Sequence, residues 1–367
     1  MAVGKLFTPI RIGNVILPNR IIMAPLTRCR TEEPDNIPTD LNVAYYVQRA
    51  SAGLIISEAL HIAKSAQGYA GSAGLFTDAQ EAGWRKIVSA VHEKGGHLSA
   101  QIWHVGRVSH SYFQQGQQPV GPSAMAVPEA KCSIIQSDGT QAYVPCTPCR
   151  GLTIDEIQAV VGQYRASAQR ALNAGFDFVE EHAANGYLLQ QFQADSANRR
   201  TDRYGGSLEN RARIVLEVMD AMLEVVPPQK LGVRISPYFN INGIKESQPE
   251  EMALYLAAAF RERKVAYLSV AEPSWVGGIA LTDRFKEKIR QAYDGVIIYA
   301  GEYTAEKAEA AITSGLADAI GFGRPFIANP DLVARMRQGG PYNTVNTSTI
   351  YKGGAKGYTD YPALPSL

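Results

Sequence analysis

The sequence has few cysteines, no excess of charge of either sign and no long apolar run. Four cysteines in 367 residues are too few for a disulfide scaffold, which predicts a reducing, cytoplasmic environment. Lys and Arg total 36 against 35 Asp and Glu, so a net charge of +1 provides no field to recruit nucleic acid or an anionic membrane. No window approaches the roughly 20 apolar residues that span a bilayer, and Met1 to Phe7 lacks a signal-peptide core. We therefore expect a cytoplasmic protein with neither nucleic acid nor membrane as a partner.

A metal site is the one special feature that the cysteines suggest. Cys146 and Cys149 form a CxxC pair, and Cys132 lies nearby. Zinc sites use this spacing, but no fourth ligand is evident, and a pair of reduced loop thiols accounts for the same pattern. We expect no metal.

Short β-rich runs alternate with helical patterns along nearly the whole chain, which favours a parallel sheet over a sandwich or a bundle. The runs are continuously apolar, as in strands covered on both faces. Eight strands are predicted: Ile21 to Ala24, Leu54 to Glu58, Leu98 to Trp103, Phe176 to His182, Leu231 to Ser236, Tyr267 to Ala271, Gly295 to Tyr299 and Ala319 to Phe322.

Helices between these strands carry start and stop signals. Thr153 with Glu156 three residues later forms a capping box, and Gly175 follows where the helix must end. Thr77 with Gln80 opens another helix in the same way. Eight strand and helix units without a composition break predict one α/β domain over residues 1–367, a closed (β/α)8 TIM barrel.

Two segments lie outside this repeat. Residues 5–18 resemble a small hairpin that turns at Gly13 and Asn14, which would cap the bottom of the barrel. The stretch from Val105 to Gly151 follows the third strand and is rich in Gln, Pro and Ser. Long loops of this kind are uncommon unless functional, so we predict a lid over the active-site end.

The active site of such a barrel lies at the carboxyl ends of its strands. The polar residues there do not include the paired carboxylates of a glycosidase, a serine nucleophile elbow or a lysine for Schiff-base chemistry. Acid-base or cofactor chemistry remains. The residues at these ends are Thr27, Glu58, Gln101, Trp103, His182, Asn185, Tyr187, Arg234, Gly301, Gly323 and Arg324.

Gly301, Gly323 and Arg324 follow the last two strands, where barrels of this type usually bind phosphate. Glycine lets the backbone approach an anion, and arginine adds charge-assisted hydrogen bonds. These residues predict a phosphorylated ligand, with purely structural turns as the alternative.

Several motifs in this order resemble the old yellow enzyme family of FMN-dependent ene-reductases, and the similarity covers essentially the whole chain. The motifs are Asn19-Arg20-Ile21, Met23 to Arg28, Gln101 to His104, His182 to Tyr187, Arg203 to Ser207, Glu209 to Arg211, Gly323 to Phe326 and Gly357 to Pro362.

The resemblance implies an FMN lying across the mouth of the barrel. Arg234 would stabilise the negative charge of the reduced flavin, Gln101 would bind its pyrimidine edge, and the Thr27 hydroxyl would donate to O4. The implied cofactor-binding residues are Pro25, Thr27, Ala59, Gln101, Arg234, Gly301, Gly323 and Arg324.

The resemblance also implies catalytic roles for His182, Asn185 and Tyr187. His182 and Asn185 would donate hydrogen bonds to the carbonyl or nitro oxygen of an activated alkene, and Tyr187 would protonate the α-carbon after hydride transfer from flavin N5. NADPH or NADH would supply the hydride, and nitrate esters are further candidate substrates. The oligomeric state and the physiological substrate stay open.

Three aromatic residues, Trp103, Tyr69 and Tyr351, resemble those that pack the substrate against the flavin. Ordinary core or lid packing is the alternative for each. The remaining histidines are expected to be structural or exposed, namely His61, His92, His97, His104 and His110.

The chain departs from the family pattern at Glu181, where an aliphatic residue is usual. Strand alternation places Glu181 toward the helices, so we expect it to pair with a basic helix residue or to reach solvent. Glu180 should share the lumen side with His182 and help to hold Arg234. The glutamine-rich segment from Gln190 to Gln193 is a place where substrate preference could differ.

Two other functions remain open at this stage. The same barrel could oxidise an α-hydroxy acid or act on a dihydroorotate-like substrate, although these reactions require a different base and an arginine pair. It could also be a non-catalytic protein that binds flavin or a phosphorylated ligand. A ketoacid or orotate product without enone reduction would favour the first. Reduction of the flavin by NADPH and its reoxidation by cyclohexenone would exclude the second.

Overall fold

The structure, a computed structural model, describes residues 4–365, so residues 1–3 and 366–367 of the predicted 1–367 domain lie outside the described residues. Its strands are β1 (Ile10–Ile12), β2 (Val15–Leu17), β3 (Ile21–Met23), β4 (Leu54–Ile56), β5 (Leu60–His61), β6 (Leu98–Trp103), β7 (Val120–Gly121), β8 (Lys131–Ile135), β9 (Gln141–Pro145), β10 (Arg150–Gly151), β11 (Phe178–Ala183), β12 (Leu231–Ile235), β13 (Tyr267–Ala271), β14 (Val296–Ala300) and β15 (Ala319–Phe322).

Helices follow most of the barrel strands. They are α1 (Asp40–Val47), α2 (Asp78–His92), α3 (Ile154–Ala174), α4 (Leu188–Gln193), α5 (Leu208–Leu223), α6 (Pro249–Glu262), α7 (Asp283–Ala292), α8 (Ala305–Thr313), α9 (Arg324–Ala328) and α10 (Leu332–Gln338). No helix within the described part of the chain is long and apolar enough to cross a lipid bilayer.

Eight parallel strands close into a barrel in the order β3-β4-β6-β11-β12-β13-β14-β15, with β15 pairing back to β3. The prediction of a (β/α)8 barrel is therefore confirmed. The registers place Glu180 opposite Gln101 and His182 opposite Arg234, so polar residues from three adjacent strands meet at two successive levels near the carboxyl end.

The helix signals act as expected. In α3 the Thr153 hydroxyl accepts from the Glu156 N–H, and the Glu156 carboxylate accepts from the Thr153 N–H. Gly175 ends this helix with φ 93°, a left-handed conformation that an L side chain rarely adopts. The Thr77 and Gln80 side chains form the same box at the start of α2.

An antiparallel hairpin of β1 and β2 turns at Gly13 and Asn14, with Ile12 opposite Val15. Ile12 and Leu17 are fully buried and belong to one apolar cluster with Leu54 and Phe178. Because Leu54 and Phe178 are the first residues of their strands, the hairpin packs on the amino end of the barrel, opposite the strand ends that hold the candidate site.

The Val105 to Gly151 excursion carries the β8–β9 hairpin. Cys132 and Cys146 lie in an apolar cluster with Trp103 from a barrel strand, and the Ala70 N–H donates to the carbonyl of Ser133. The hairpin therefore rests on the carboxyl end of the barrel.

The cysteines contact different partners within the excursion. The Cys132 and Cys146 sulfurs are 3.3 Å apart, whereas Cys149 lies against the Ser123 carbonyl. Among residues 4–365, no group of three or more His, Cys, Asp or Glu side chains is arranged to hold a metal ion.

The prediction for Glu181 was wrong. Glu181 is fully buried, and neither carboxylate oxygen has a hydrogen-bond partner. The basic residue within electrostatic range, Arg263, pairs with Asp220 at 2.6 Å instead. Burial raises the pKa of Glu181 well above its ordinary value, so the side chain is accommodated as a neutral acid.

Candidate active site

The floor of the candidate site is a polar layer from four neighbouring strands, β6, β11, β12 and β13. Gln101 Nε2 donates to a Glu180 carboxylate oxygen at 2.6 Å, and Arg234 Nη1 donates to the Ser269 hydroxyl at 3.1 Å. Arg234 Nε is buried without a partner. A buried guanidinium with a free donor is a group that still requires an acceptor.

Glu180 interacts with Arg234 through charge, not through a hydrogen bond. Burial raises the pKa of Glu180, and the positive charge of Arg234 opposes that rise. One carboxylate oxygen accepts from Gln101 and the other has no partner. Glu180 therefore orients the Gln101 amide directly and influences Arg234 only through the electric field.

His182 lies at the end of β11 as a neutral donor. Its Nδ1 accepts a hydrogen bond from the Ala184 N–H, so the ring proton is assigned to Nε2. Burial, with a smaller contribution from the charge of Arg234, lowers the pKa of His182 to about 3. The imidazole consequently keeps one Nε2–H donor throughout the neutral pH range.

Asn185 follows in the loop after β11 and adopts a left-handed conformation with φ 58°. Its amide Nδ2 is buried and has no hydrogen-bond partner. A buried unpaired amide is costly, roughly 1–3 kcal/mol, unless a ligand oxygen occupies the position it faces. Asn185 thus supplies a second free donor near His182.

Tyr187 completes the loop and lies against an aromatic wall. Its hydroxyl is 3.2 Å from the Tyr69 hydroxyl, and its ring packs edge-on against Trp103 with centroids 4.5 Å apart. Burial raises the pKa of Tyr187 well above its ordinary value. The phenol therefore stays protonated and can act as an acid.

The three predicted pocket aromatics do not occupy equivalent places. Trp103 lies parallel to His182 and to Tyr69, with centroid distances of 5.8 and 6.1 Å. Tyr351 instead is 46% exposed, and its ring meets Tyr143 of the β8–β9 hairpin edge-on at 6.4 Å. Nothing in the sequence points to Tyr143, because its place depends on how the hairpin folds over the barrel.

The residues expected around a flavin surround the same end of the barrel. Pro25 and Thr27 follow β3, Ala59 follows β4, and Gln101 and Arg234 project from β6 and β12. The pyrimidine edge of an isoalloxazine presents both donors and acceptors. The Gln101 amide and the buried Arg234 guanidinium, whose Nε–H has no partner, suit this edge. The side chains present therefore fit FMN.

The residues predicted to bind phosphate lie after β14 and β15, and β15 pairs with β3. Gly323 directly precedes α9, and Arg324 is its exposed first residue. A Cβ on Gly301 would lie 3.0 Å from both the Glu272 Cβ and the Ser274 hydroxyl, so a larger residue would press on these two side chains. A Cβ on Gly323 would make only an ordinary van der Waals contact, 3.5 Å from Leu26 Cδ2.

The remaining histidines and the glutamines of α4 do not belong to the candidate site. His61 and His104 are buried and bonded to nearby backbone, whereas His92 contacts Asp177. The glutamines of α4 are buried and donate to backbone carbonyls instead of facing an open pocket.

Fold and site together define a flavin-dependent oxidoreductase on a (β/α)8 barrel. A model of the NADH:flavin oxidoreductase / NADH oxidase family matches residues 5–343. The chain belongs to this family, within the old yellow enzymes, and is an NAD(P)H-dependent ene-reductase with FMN as its cofactor.

Individual relatives are similar over nearly their full length. A probable flavin mononucleotide-dependent alkene reductase from Leishmania infantum is 39% identical, with 99% of this chain and 98% of the relative covered. A putative 12-oxophytodienoate reductase 11 from Oryza sativa subsp. japonica is 41% identical, with the same coverage.

Among solved structures, morphinone reductase is 52% identical with a TM-score of 0.96, covering 98% of this chain and 96% of that one. A further morphinone reductase structure, 51% identical with a TM-score of 0.94, was solved in complex with tetrahydroNAD and covers 98% of each chain.

Proposed function

We propose that this chain reduces the activated carbon-carbon double bond of an α,β-unsaturated carbonyl or nitro compound. One observation carries the proposal: a neutral His182 with an Nε2–H donor at the end of β11, and a buried, unpartnered Asn185 amide in the loop that follows, lie beside a protonated Tyr187. Nitrate esters are further candidate substrates, because their oxygens can accept from the same two donors.

His182 and Asn185 bind and polarise the substrate oxygen. Negative charge grows on that oxygen as the β-carbon is reduced, and two fixed donors stabilise it more strongly than they stabilise the neutral substrate. Removing one comparable donor typically costs about 2.7 to 4 kcal/mol of transition-state stabilisation. Because His182 is neutral, this binding should not change across the neutral pH range.

Tyr187 delivers the proton to the α-carbon. Its phenol is held protonated by burial, and the Tyr69 hydroxyl can replace the transferred proton through their 3.2 Å contact. Trp103 packs against both His182 and Tyr187 and excludes water from the space between them. FMN, when bound, supplies the hydride that it receives from NADH or NADPH.

The cofactor roles are proposals of the same kind. Gln101 and Arg234 would bind the pyrimidine edge, Thr27 would donate to O4, and Pro25 and Ala59 would line the ring. Gly301, Gly323 and Arg324 would bind the phosphate. The names of the relatives, which include an alkene reductase and reductases of morphinone and 12-oxophytodienoate, support an unsaturated carbonyl as the substrate class.

The test separates the two half-reactions. Purified protein is reduced anaerobically with NADH or NADPH while the visible flavin band is recorded, and cyclohexenone is then added. Recovery of the band with formation of cyclohexanone supports the proposal. Production of a ketoacid or orotate without enone reduction would favour the hydroxy-acid or dihydroorotate alternative, and a flavin that neither nucleotide reduces would favour a binding protein.

A further inference from the structure

The backbone that carries Asn185 is held in an unusual conformation. Asn185 has φ 58° and Gly186 has φ 76°, so two successive residues lie in the left-handed region. Such a conformation is uncommon for a residue with a side chain and persists only where the surroundings hold it. The direction of the Asn185 side chain follows from this backbone, so whatever holds the backbone also aims the amide.

Both backbone polar groups of Asn185 are bound by side chains from a distant segment. The Asn185 N–H donates to the Ser236 hydroxyl at 2.7 Å. The Asn185 carbonyl accepts from Asn242 Nδ2 at 3.0 Å. Ser236 and Asn242 lie in the loop after β12, 51 and 57 residues further along the chain than Asn185.

Both backbone polar groups of Gly186 are bound by side chains from α4. The Gly186 N–H donates to Gln190 Oε1 at 2.8 Å, and the Gly186 carbonyl accepts from Gln191 Nε2 at 2.8 Å. All four backbone polar groups of Asn185 and Gly186 are thus satisfied by side chains. This is unusual, because loop backbone more often bonds to other backbone or to water.

Gln190 and Ser236 also bond to each other, which makes the arrangement a closed network. The Ser236 hydroxyl donates to Gln190 Oε1 at 2.7 Å, and Gln190 Nε2 donates to the Ser236 carbonyl at 2.8 Å. Ser236 is 1% exposed and Gln190 is 3% exposed. A buried network with every member satisfied rigidifies the groups that it contains.

We propose that Gln190 and Ser236 are positioning residues that fix the Asn185 amide where it meets the substrate oxygen. This inference rests on the proposed function, since it explains how one of the two proposed donors is aimed. Neither residue needs to touch the substrate. The unpartnered Asn185 Nδ2 is the ligand-facing end of the arrangement, and the Gln190–Ser236 pair is its support.

The experiment compares two glutamines of the same helix. Gln190→Leu removes the acceptor of the Gly186 N–H and of the Ser236 hydroxyl, whereas Gln193→Leu removes only donors to the Ala183 and Leu189 carbonyls. Both positions are 3% exposed, so the two variants are matched in burial and in volume. The readouts are FMN content, the rate of flavin reduction by NADH or NADPH, and the dissociation constant of a phenol, measured from the change in flavin absorption.

We expect Gln190→Leu to weaken phenol binding about tenfold, while FMN content and the rate of flavin reduction stay near wild type, because only the donor to the bound oxygen is displaced. Gln193→Leu should keep the wild-type phenol affinity. Ser236→Ala removes the acceptor of the Asn185 N–H and should weaken phenol binding in the same direction. In the double variant the two effects should not add, because both residues act on one dipeptide.

Equal phenol affinity in Gln190→Leu, Gln193→Leu and the wild type, each with full FMN, would overturn the inference. If Gln190→Leu does not retain FMN, unchanged affinity in Ser236→Ala would overturn it equally. A wild-type protein that binds no phenol and is not reoxidised by an enone would contradict the proposed function instead, so the two failures can be told apart.

Discussion

Tyr187 is the residue whose role can be isolated most cleanly. Its phenol takes part only in the half-reaction that reduces the substrate, so Tyr187→Phe should leave flavin reduction within about twofold of wild type. Reoxidation by cyclohexenone should slow by roughly 10² to 10⁴, the usual contribution of a general acid. Anaerobic stopped-flow absorbance measures both rates.

Tyr69→Phe is the control for this substitution. It removes the hydroxyl 3.2 Å from the Tyr187 hydroxyl but leaves the acid in place, so the loss should be smaller. If Tyr187→Phe slowed flavin reduction and reoxidation by cyclohexenone equally, Tyr187 would not be the acid of the second half-reaction.

Glu181 is a stability liability that the structure makes visible. Its two oxygens are buried without a hydrogen-bond partner, so Glu181→Leu should raise the free energy of unfolding by about 1–3 kcal/mol. Urea unfolding of the FMN-loaded protein, followed by tryptophan fluorescence, measures the change.

Glu180→Leu provides the opposite case on the same strand. Glu180 accepts from Gln101, so this substitution should loosen the Gln101 amide and weaken FMN binding.

The prediction for Glu181→Leu has a clear contrary outcome. A lower free energy of unfolding in this variant would mean that Glu181 has a partner that the structure does not contain.

Residues close together in sequence were predictable, and those that meet only in the fold were not. His182 lies at the end of β11, and Asn185 and Tyr187 follow it in the next loop, so their spacing brings them to one place. Ser236 and Asn242 act on the same turn from more than 50 residues away. Nothing in the sequence around them indicates that contact.

Helix α3 supplies a test at the level of one element. The Thr153 hydroxyl accepts from the Glu156 N–H, so Thr153→Ala should cost about 1 kcal/mol of stability, within the usual range for a lost N-cap. Thermal unfolding should show a lower Tm for Thr153→Ala than for Thr153→Ser, which keeps the hydroxyl. An unchanged Tm in both variants would mean that the cap contributes nothing here.

Strand positions could be predicted from apolar runs, but several strand ends shifted, and two of these shifts have a clear tertiary reason. The predicted strand Leu54 to Glu58 stops at Ile56, because the Glu58 N–H donates to the Tyr46 hydroxyl instead of a neighbouring strand. The predicted strand from Phe176 begins at Phe178, because the Phe176 N–H still closes the preceding helix on the Ala171 carbonyl.

Buried titratable groups set how the stability of the whole molecule depends on pH. Burial lowers the pKa of His61, His104 and His182 to about 3, so the unfolded chain binds more protons as pH falls below about 6.5. Their contribution to stability is present above about pH 6.5 and is lost as the pH falls toward 3.

Buried carboxyls act in the opposite direction, among them Glu180 and Glu181, whose pKa values burial also raises. Burial raises the pKa of Glu58 to about 7 and that of Glu246 to about 8. The folded chain therefore holds protons that the unfolded chain releases above about pH 4.5, and this stability is lost as the pH rises toward 8.

Together these shifts predict a plateau of maximal stability between about pH 4.5 and 6.5, where the two trends oppose each other. The Tm of the protein should fall on both sides of the plateau. Glu246→Gln should flatten the alkaline decline without changing the acid one, because a glutamine cannot ionise. A Tm that rose steadily up to pH 8 would show that the raised carboxyl pKa values are absent.

The most direct test of the whole account is an anaerobic titration of the purified, FMN-loaded protein, first with NADH or NADPH and then with cyclohexenone, followed in the visible flavin band. The account predicts that the band disappears with the nucleotide and returns with one equivalent of cyclohexanone formed per flavin. A protein that cannot be loaded with FMN, or a reduced flavin that cyclohexenone leaves unchanged, would contradict it.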